Sequence, residues 1–521
     1  LFRSGDKEFN KKRYAKHLKN VVNNKICPTC KGQRLNSKIL SSKIMSKNIS
    51  DFTQMTIKEN LEFLNKLEDP TAKYIIDPLK KQLEALKYIG LSYLTLNRVT
   101  TTLSGGEAQR LKLIRHLNSS LSDLVYIIDE PSVGLHPEDI AKINEILKSL
   151  KDKGNTVLIV EHDPDVIKEG DYIIDMGPGS GKNGGEITFE GTYNELLSSN
   201  TSTGNALRHK HNLKENIREA NHFYNIGPVT QNNLNNVKTS IPKHVLTVLT
   251  GVAGSGKSTL VKAGFENNDH TIFIDQKAVQ GSNRSNLLTY LGVFDSVRSF
   301  FSKETGLNKA MFSYNSKGAC PNCGGKGYIK TELAFMGDFS QTCEVCHGKR
   351  YKQEVLDATI DGYSIADVLD LTVDEGIIFF DKKNDIKSKL QSVSKTGLNY
   401  MSLGQPLSTL SGGEIQRVKL AQHLDEEIKN SIFIFDEPTT GLHESDIPIL
   451  MECFDDLIDQ NNTVILIEHN LSIMCEADWI IDVGPGPGLD GGKVQFSGTP
   501  KNFIDSSETL TSKHLKRYIN Q

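Results

Sequence analysis

Short apolar runs rich in β-branched residues alternate along this chain with longer stretches whose apolar residues recur every three or four positions, the pattern of strands interleaved with helices. Leu61 and Leu64, then Leu79, Leu83, Leu86 and Ile89, keep helical spacing and stop at Gly90 and again near Asn97, which predicts a mainly helical subdomain over residues 57–96. A long helix is predicted from the LSGGE stretch at Leu103 through AQRLKLIRHL. It is followed by a buried strand over Asp123–Glu130, a helix over Pro137–Leu150, a strand over Thr156–Val160 ending in Glu161-His162, and a strand over Tyr172–Met176. Val245–Thr250 (VLTVLT) is another strand, followed by a glycine-rich turn and by a helix that includes Leu260 and Val261. Alternation of this kind predicts an α/β fold with a parallel sheet, whose ligands lie beyond the carboxyl ends of the strands.

The pattern occurs twice. LSGGE stands at Leu103 and Leu410, D-E-P at Asp129 and Asp436, E-H at Glu161 and Glu468, G-P-G at Gly177 and Gly484, and G-T at Gly191 and Gly498, every pair 307 residues apart. One spacing shared by five motifs makes these two copies of one domain. The chain therefore divides into a basic segment at 1–50, the C-terminal part of a first copy at 51–200, a polar linker at 201–224, and a second copy at 225–521 with an insert at about 277–400.

The turn after Val245–Thr250 is GVAGSGKST, which fits G-x-x-x-x-G-K-[ST] through Gly251, Gly256, Lys257 and Ser258, with Gly254, Ser255 and Thr259 in the same loop. Between a strand and a helix, such a loop turns its backbone N–H groups onto phosphate oxygens. The lysine reaches the terminal phosphates and the serine hydroxyl can ligate Mg²⁺. Gly251 shifted by 307 falls before residue 1, so the first copy is expected to lack this loop within the chain. Ser104, Gly105, Gly106 and Glu107 open a helix where hydroxyl and free N–H groups can bind an anion.

Composition adds two facts. The net charge is only −3, yet residues 1–50 hold thirteen Lys/Arg against two acids and residues 277–330 hold eight against two, a distribution suited to a polyanion partner. A lysine-rich solvated face would account for the first segment equally well. Six of the eight cysteines form CxxC pairs: Cys27/Cys30, Cys320/Cys323 and Cys343/Cys346. The last two pairs, nineteen residues apart, have the spacing of a four-thiolate zinc site, whereas Cys27/Cys30 supplies half of one. CEVCHGKRY at Cys343 matches CPTCKGQRL at Cys27. No apolar run approaches the ~20 residues of a membrane span and no secretory segment is visible, which reads as a cytoplasmic protein.

Phosphate loop, LSGGE, a strand ending in Asp-Glu and a later one ending in Glu-His together resemble an ATP-binding-cassette ATPase. The resemblance implies that Asp436 holds Mg²⁺ through water, Glu437 polarises the attacking water, His469 contacts the γ-phosphate of ATP, and Gln276 is the cassette's glutamine. It also implies that Ser104 to Glu107 close over the phosphate loop of the other cassette. Asp129, Glu130 and His162 with Ser411, Gly412 and Gly413 form the corresponding second set, without a lysine loop. The insert narrows the resemblance. GACPNCGGKGYI with CEVCHGKRY, RSNLLTYLGVFDSVRSFF, GLHESDI, IEHNL, NNLNNVKTSIP, SVGLHPEDI and VEHD are similar to the UvrA family, the damage-sensing ATPases of bacterial nucleotide excision repair. Leu287-Leu288 departs from the Pro-Ala expected after Arg-Ser-Asn.

That resemblance implies ATP or ADP, Mg²⁺ and Zn²⁺ as cofactors. It also implies damaged double-stranded DNA and a UvrB-like repair protein as partners, a homodimer, and DNA contacts from Arg284, Arg298, Lys326 and Lys330. Phe335 and Met336 stand between the two CxxC pairs, where core packing or a turn would account for them and where a distorted duplex could also meet them. Two other readings share the motifs: a drug self-protection protein of UvrA type, and the motor subunit of a membrane transporter, for which a basic four-cysteine insert serves no purpose.

Overall fold

A computed structural model describes residues 26–67, 69–103, 105–117, 121–266, 268–277, 285–333, 337–424 and 428–520. Two compact units are present, one made of residues 1–87 with 91–102 and one of 88–90 with 103–521. In the smaller unit, the helix Ile57–Asn65 starts at a capping box in which Thr56 and Glu59 satisfy each other's backbone N–H groups. Its Leu61 and Leu64 are buried, as are Leu83 on the helix Lys73–Tyr88 and Leu91 and Leu94 beyond it.

In the larger unit the strands are β1 (Val125–Asp129), β2 (Thr156–Val160), β3 (Ile173–Gly177), β4 (Glu186–Gly191), β5 (Phe223–Gln231), β6 (Leu234–Pro242), β7 (Leu246–Thr250) and β8 (Thr271–Ile274). They continue with β9 (Tyr328–Leu333), β10 (Gly337–Thr342), β11 (Thr359–Ile360), β12 (Tyr363–Ser364), β13 (Ile432–Asp436), β14 (Thr463–Ile467), β15 (Trp479–Gly484) and β16 (Lys493–Gly498). The second copy builds one six-stranded sheet in the order β16-β15-β7-β14-β13-β8, parallel except for β16. Every residue of β7 is buried, as expected of a central parallel strand with both faces covered.

The first copy repeats the pairings without the centre. β1 and β2 pair in parallel from Val125↔Thr156 to Asp129↔Val160, as β13 and β14 do from Ile432↔Thr463. β3 and β4 repeat β15 and β16, including the bulge, which falls at Asp175/Met176 in one copy and Asp482/Val483 in the other. Among the described residues no strand joins β2 to β3, so each pair is a separate two-stranded sheet. The consequence is visible in matched side chains. Ile127 is 74% exposed where Ile434 is 2%, and Leu158 is 51% exposed where Ile465 is fully buried. In the second copy these positions join the core that the β5–β6 hairpin and the helix Lys257–Phe265 cover with Ile226, Leu260, Val261 and Phe265.

The insert packs with the helix Gly412–Leu424 around a second apolar core, which runs from Leu287 to Ala421 through Phe301, Phe312 and Leu390. Leu287 and Leu288 are fully buried at the start of a short helix capped by Asn286, so the departure from Pro-Ala fills core volume. Within the polar stretch 201–224, Thr201 caps a helix over Ser202–Arg208. Further on, Arg218 N–H donates to the buried Asp478 carboxylate at 3.1 Å, and the same carboxylate accepts the N–H of Leu246 at 2.9 Å. The linker is thereby tied to the first residue of β7.

The matched positions make a direct test. Ile434→Ala removes buried methyl groups and should cost about 2–5 kcal/mol, whereas Ile127→Ala should change stability by no more than about 0.5 kcal/mol. Urea unfolding of the two variants beside the parent chain measures the difference.

Candidate functional site

The phosphate loop follows β7 directly. Gly251 (φ +128°) and Gly256 (φ +104°) lie in the left-handed region, and a Cβ on Gly251 would sit 2.0 Å from the Val483 carbonyl oxygen, so only glycine fits between loop and β15. The Lys257 ammonium donates to the carbonyls of Gly251 at 2.8 Å and Val252 at 3.0 Å, folded onto its own loop. Burial lowers the Lys257 pKa to about 8, opposed by the carboxylates of Glu437, Asp482 and Asp436. Ser258 Oγ donates to Asp436 Oδ1 at 3.4 Å, which pairs the hydroxyl and carboxylate suited to a hydrated Mg²⁺. Thr259 Oγ1 accepts from Asn232 at 3.2 Å.

Asn233, at the tip of the β5–β6 hairpin, was not singled out from sequence. Its amide donates to the carbonyls of Ser255 (2.9 Å), Gly488 (3.1 Å) and Gly254 (3.3 Å), pinning the phosphate loop to the loop after β15. The one signal available was its place in NNLNNVKTSIP. Gln276 donates to the Glu437 carbonyl at 3.2 Å and to Thr440 Oγ1 at 2.9 Å, and Gly412 packs against it.

Glu437 closes β13 with φ +54°, and Glu130 closes β1 with φ +44°. The Glu437 pKa is raised to about 7, chiefly by burial and then by Asp436 and Glu468, while Lys257 and Arg110 oppose the rise. That places a carboxylate near its proton-accepting midpoint beside the phosphate loop. His469 is buried and its pKa is held well below the usual imidazole value, first by burial and then by Lys257, so the ring is neutral. Glu468 braces this turn by accepting the N–H groups of Thr439, His469 and Asn470, and Glu161 does the same for Ser132, His162 and Asp163.

The two copies meet at these strand ends. A Cβ on Gly134 of the first copy would lie 2.7 Å from the Glu437 carboxylate, and one on Gly441 of the second would lie 3.4 Å from that of Glu130. Gly105, Gly106 and Glu107 open the helix Gly105–Leu117, whose Arg110 is 2% exposed, donates to the carbonyls of Ile89 and Gly106, and is close enough to influence both Glu437 and His469. The LSGGE helix of the first copy therefore faces the phosphate-loop site of the second. Ser104 lies outside the described residues. In the second set, His162 Nε2 stands 3.7 Å from Glu130 Oε1 next to Asp129, and Ser411 and Glu414 cap each other's N–H groups. A Cβ on Gly413 would lie 2.2 Å from the Thr440 carbonyl oxygen. Gly181, in the loop after β3, packs on Tyr400, whose hydroxyl donates to Glu414.

Cys320, Cys323, Cys343 and Cys346 are all buried with their four sulfurs within 4.8 Å of one another. The Cys320–Cys343 and Cys323–Cys346 separations are 4.0 and 3.7 Å, against the ~3.8 Å edge of a tetrahedron with ~2.3 Å zinc–sulfur bonds. Gly327 N–H and the Asn322 amide donate to two of the sulfurs, as thiolates require. The donor set fits zinc. The turn repeats at the exposed Cys27: Lys31 N–H to the Cys27 carbonyl and Gln33 N–H to that of Cys30, both 2.8 Å, match His347 to Cys343 and Lys349 to Cys346. No third ligand accompanies Cys27 and Cys30 among the described residues.

Lys326 and Lys330 are exposed beside this cluster, at the base of the β9–β10 hairpin and on β9. Arg298 is engaged with Asp295 at 3.3 Å and the Lys309 carbonyl at 3.4 Å. Arg284, Phe335 and Met336 lie outside the described residues, as do residues 1–25. Among the described residues no helix is long and apolar enough to cross a membrane.

The cysteine geometry yields one expectation. Purified protein should carry one zinc per Cys320/Cys323/Cys343/Cys346 cluster by elemental analysis, and Cys343→Ser should lose it and unfold the β9–β10 hairpin. Less than one zinc per chain, with these four thiols freely reactive, contradicts the assignment.

Comparison with known proteins agrees with this architecture. A family model described as ABC transporter matches residues 234–440. UvrABC system protein A of Clostridium perfringens is 43% identical over 533 residues, covering 95% of this chain and 57% of that protein. The Bacillus subtilis protein of the same name is 41% identical over 542 residues, covering 96% of this chain and 57% of its own length. The chain thus spans somewhat more than half the length of these relatives. The crystal structure of UvrA2 from Deinococcus radiodurans superposes with a TM-score of 0.91 at 36% identity, covering 98% of this chain and 68% of that one. Duplicated cassettes, a four-cysteine insert and this superposition place the chain in the UvrA family.

Proposed function

We propose that this chain binds and hydrolyses ATP at the Gly251–Thr259 loop and uses that cycle to recognise damaged duplex DNA in nucleotide excision repair. The observation that carries the reading is the four-cysteine module built into a cassette whose phosphate-loop site faces the LSGGE helix of a second copy. A transporter motor has the cassette motifs but no use for that module.

In the proposed reaction Lys257 leaves its own loop carbonyls to neutralise the β- and γ-phosphates, and the amides of the loop hold their oxygens. Ser258 and Asp436 would hold Mg²⁺, which when bound supplies charge neutralisation between the phosphates. Glu437 orients the attacking water and accepts its proton, while neutral His469 donates a hydrogen bond to the γ-phosphate. Gln276 ties the Glu437 turn to the strand that leads into the insert. Gly105 to Glu107, with Ser104, close the site from the other copy. We assign residues 51–200 and 225–521 to the two cassettes. Lys326 and Lys330 are assigned to the phosphates of DNA, with a UvrB-like protein as repair partner, a homodimer as the working form and the cytoplasm as its place.

Two measurements test this. Lys257→Ala should weaken a labelled ATP analogue by roughly 100-fold or more, since hydrogen bonds to charged groups contribute about 1.5–3 kcal/mol each. Glu437→Gln should bind normally and lose about 10²-fold or more in turnover, and Glu130→Gln should leave both nearly unchanged. Equilibrium binding and phosphate release separate these outcomes. DNA affinity should fall with salt by roughly 0.9 log units per log unit for each phosphate neutralised, with a shallower slope for Lys330→Ala. Equal affinity at low and high salt, or no binding to intact or damaged duplex, removes the DNA assignment.

A further inference from the structure

The loops that cross between the copies read SVGLHPED after Pro131 and TTGLHESD after Pro438, and neither histidine has a part in the mechanism above. His136 is fully buried. It caps the helix Pro137–Asp152 by accepting the Glu138 N–H on Nδ1 at 3.2 Å, which leaves Nε2 as the donor of a neutral ring. Nε2 lies 3.0 Å from Thr511 Oγ1, on the helix Leu510–Ile519 of the second copy, and Thr511 Oγ1 in turn donates to Asp482 Oδ1 at 3.3 Å. Asp482 is 3% exposed and immediately precedes Val483, the residue whose carbonyl abuts Gly251 at the start of the phosphate loop. The His136 ring also stands edge-on to His469, with centroids 5.9 Å apart and planes at 89°.

The arrangement is built twice. His443 accepts the Ser445 N–H on Nδ1 at 3.2 Å, its Nε2 lies 3.1 Å from Thr203 Oγ1, and Thr203 donates to Asp175 Oδ1 at 2.7 Å. The His443 ring stands edge-on to His162 at 6.3 Å and 89°. Thr203 and Thr511 are 308 residues apart while the histidines are 307 apart, so the contact survives a one-residue difference in length between the copies. A chain of hydrogen bonds crossing the junction in both directions through a length change is a feature of the interface and not an accident of one packing.

We infer that His136 is a positioning residue for ATP hydrolysis in the opposite cassette: it walls one side of His469 and, through Thr511 and Asp482, ties the crossing loop of one copy to the strand against the phosphate loop of the other. Hydrolysis then requires the two copies to be in register, whereas nucleotide binding, which uses the loop of one copy, does not. Burial keeps the connection in one protonation state, with the His136 pKa lowered to about 3. The inference rests on the ATPase reading proposed above.

The test uses the full chain. His136→Asn retains an N-cap acceptor for Glu138 but cannot reach Thr511, and Thr511→Val removes the hydroxyl from the other end at similar volume. Each should lower kcat by roughly 10- to 100-fold, the range that small misplacements of reacting groups produce. KM for ATP and affinity for a labelled ATP analogue should stay close to the parent values, and the melting temperature should fall by no more than a few degrees. The double variant should be no slower than the slower single one, and His136→Gln, which restores a donor near the Nε2 position, should recover part of the rate. Parent kcat in His136→Asn and Thr511→Val overturns the inference, as does a loss of kcat that tracks a loss of analogue binding and melting temperature. No turnover in the parent protein overturns the ATPase reading instead.

Discussion

Everything in the complete cassette depends on β7 having a strand on each side. Its pairing with β14 and β15 joins two half-sheets into one, and that junction puts the phosphate loop between the loop after β15 and the Glu-His turn after β14, one strand away from the Asp-Glu turn after β13. Among the described residues, the first copy shows the half-sheets without it. β1–β2 and β3–β4 keep the registers and the bulge of their counterparts, so local pairing does not need the centre. The apolar face does need it: the same positions that are core in one copy stand in solvent in the other. Hydrophobic burial here is a property of the assembled layers and not of the strand sequences.

Electrostatics follow from the same placement. Lys257 is desolvated among Glu437, Asp482 and Asp436, and Glu437 is desolvated beside Asp436 and Glu468 with Lys257 and Arg110 opposing. Neither group has its solution behaviour, and each is held by the other's charge. Gly134 permits the packing, because any side chain there would collide with the Glu437 carboxylate.

Much of this was legible in the chain. The 307-residue repeat and the alternation of strand and helix give the α/β class and the duplication, since both are written in local patterns that survive without tertiary context. The four buried cysteines follow from spacing alone. Asn233 was not legible: three carbonyls converge on it only after the β5–β6 hairpin folds over the phosphate loop, and an asparagine in a hairpin turn has an ordinary local explanation. The His136–Thr511 pair was equally hidden, because 375 residues separate its members and no period connects them. Arg298, which the resemblance offers as a DNA contact, likewise has partners that only the fold brings to it: Asp295 and the Lys309 carbonyl.

The separate half-sheets carry a further consequence, for behaviour in solution. Among the described residues β2 pairs with β1 alone and β3 with β4 alone, so each has one backbone edge without a described neighbouring strand, next to exposed Leu158, Val160, Ile174 and Met176. Such edges are templates for another extended chain. Left uncovered at high concentration, such edges are where strand addition between molecules would begin, whereas β7 covers the matching edges of β14 and β15 in the other copy.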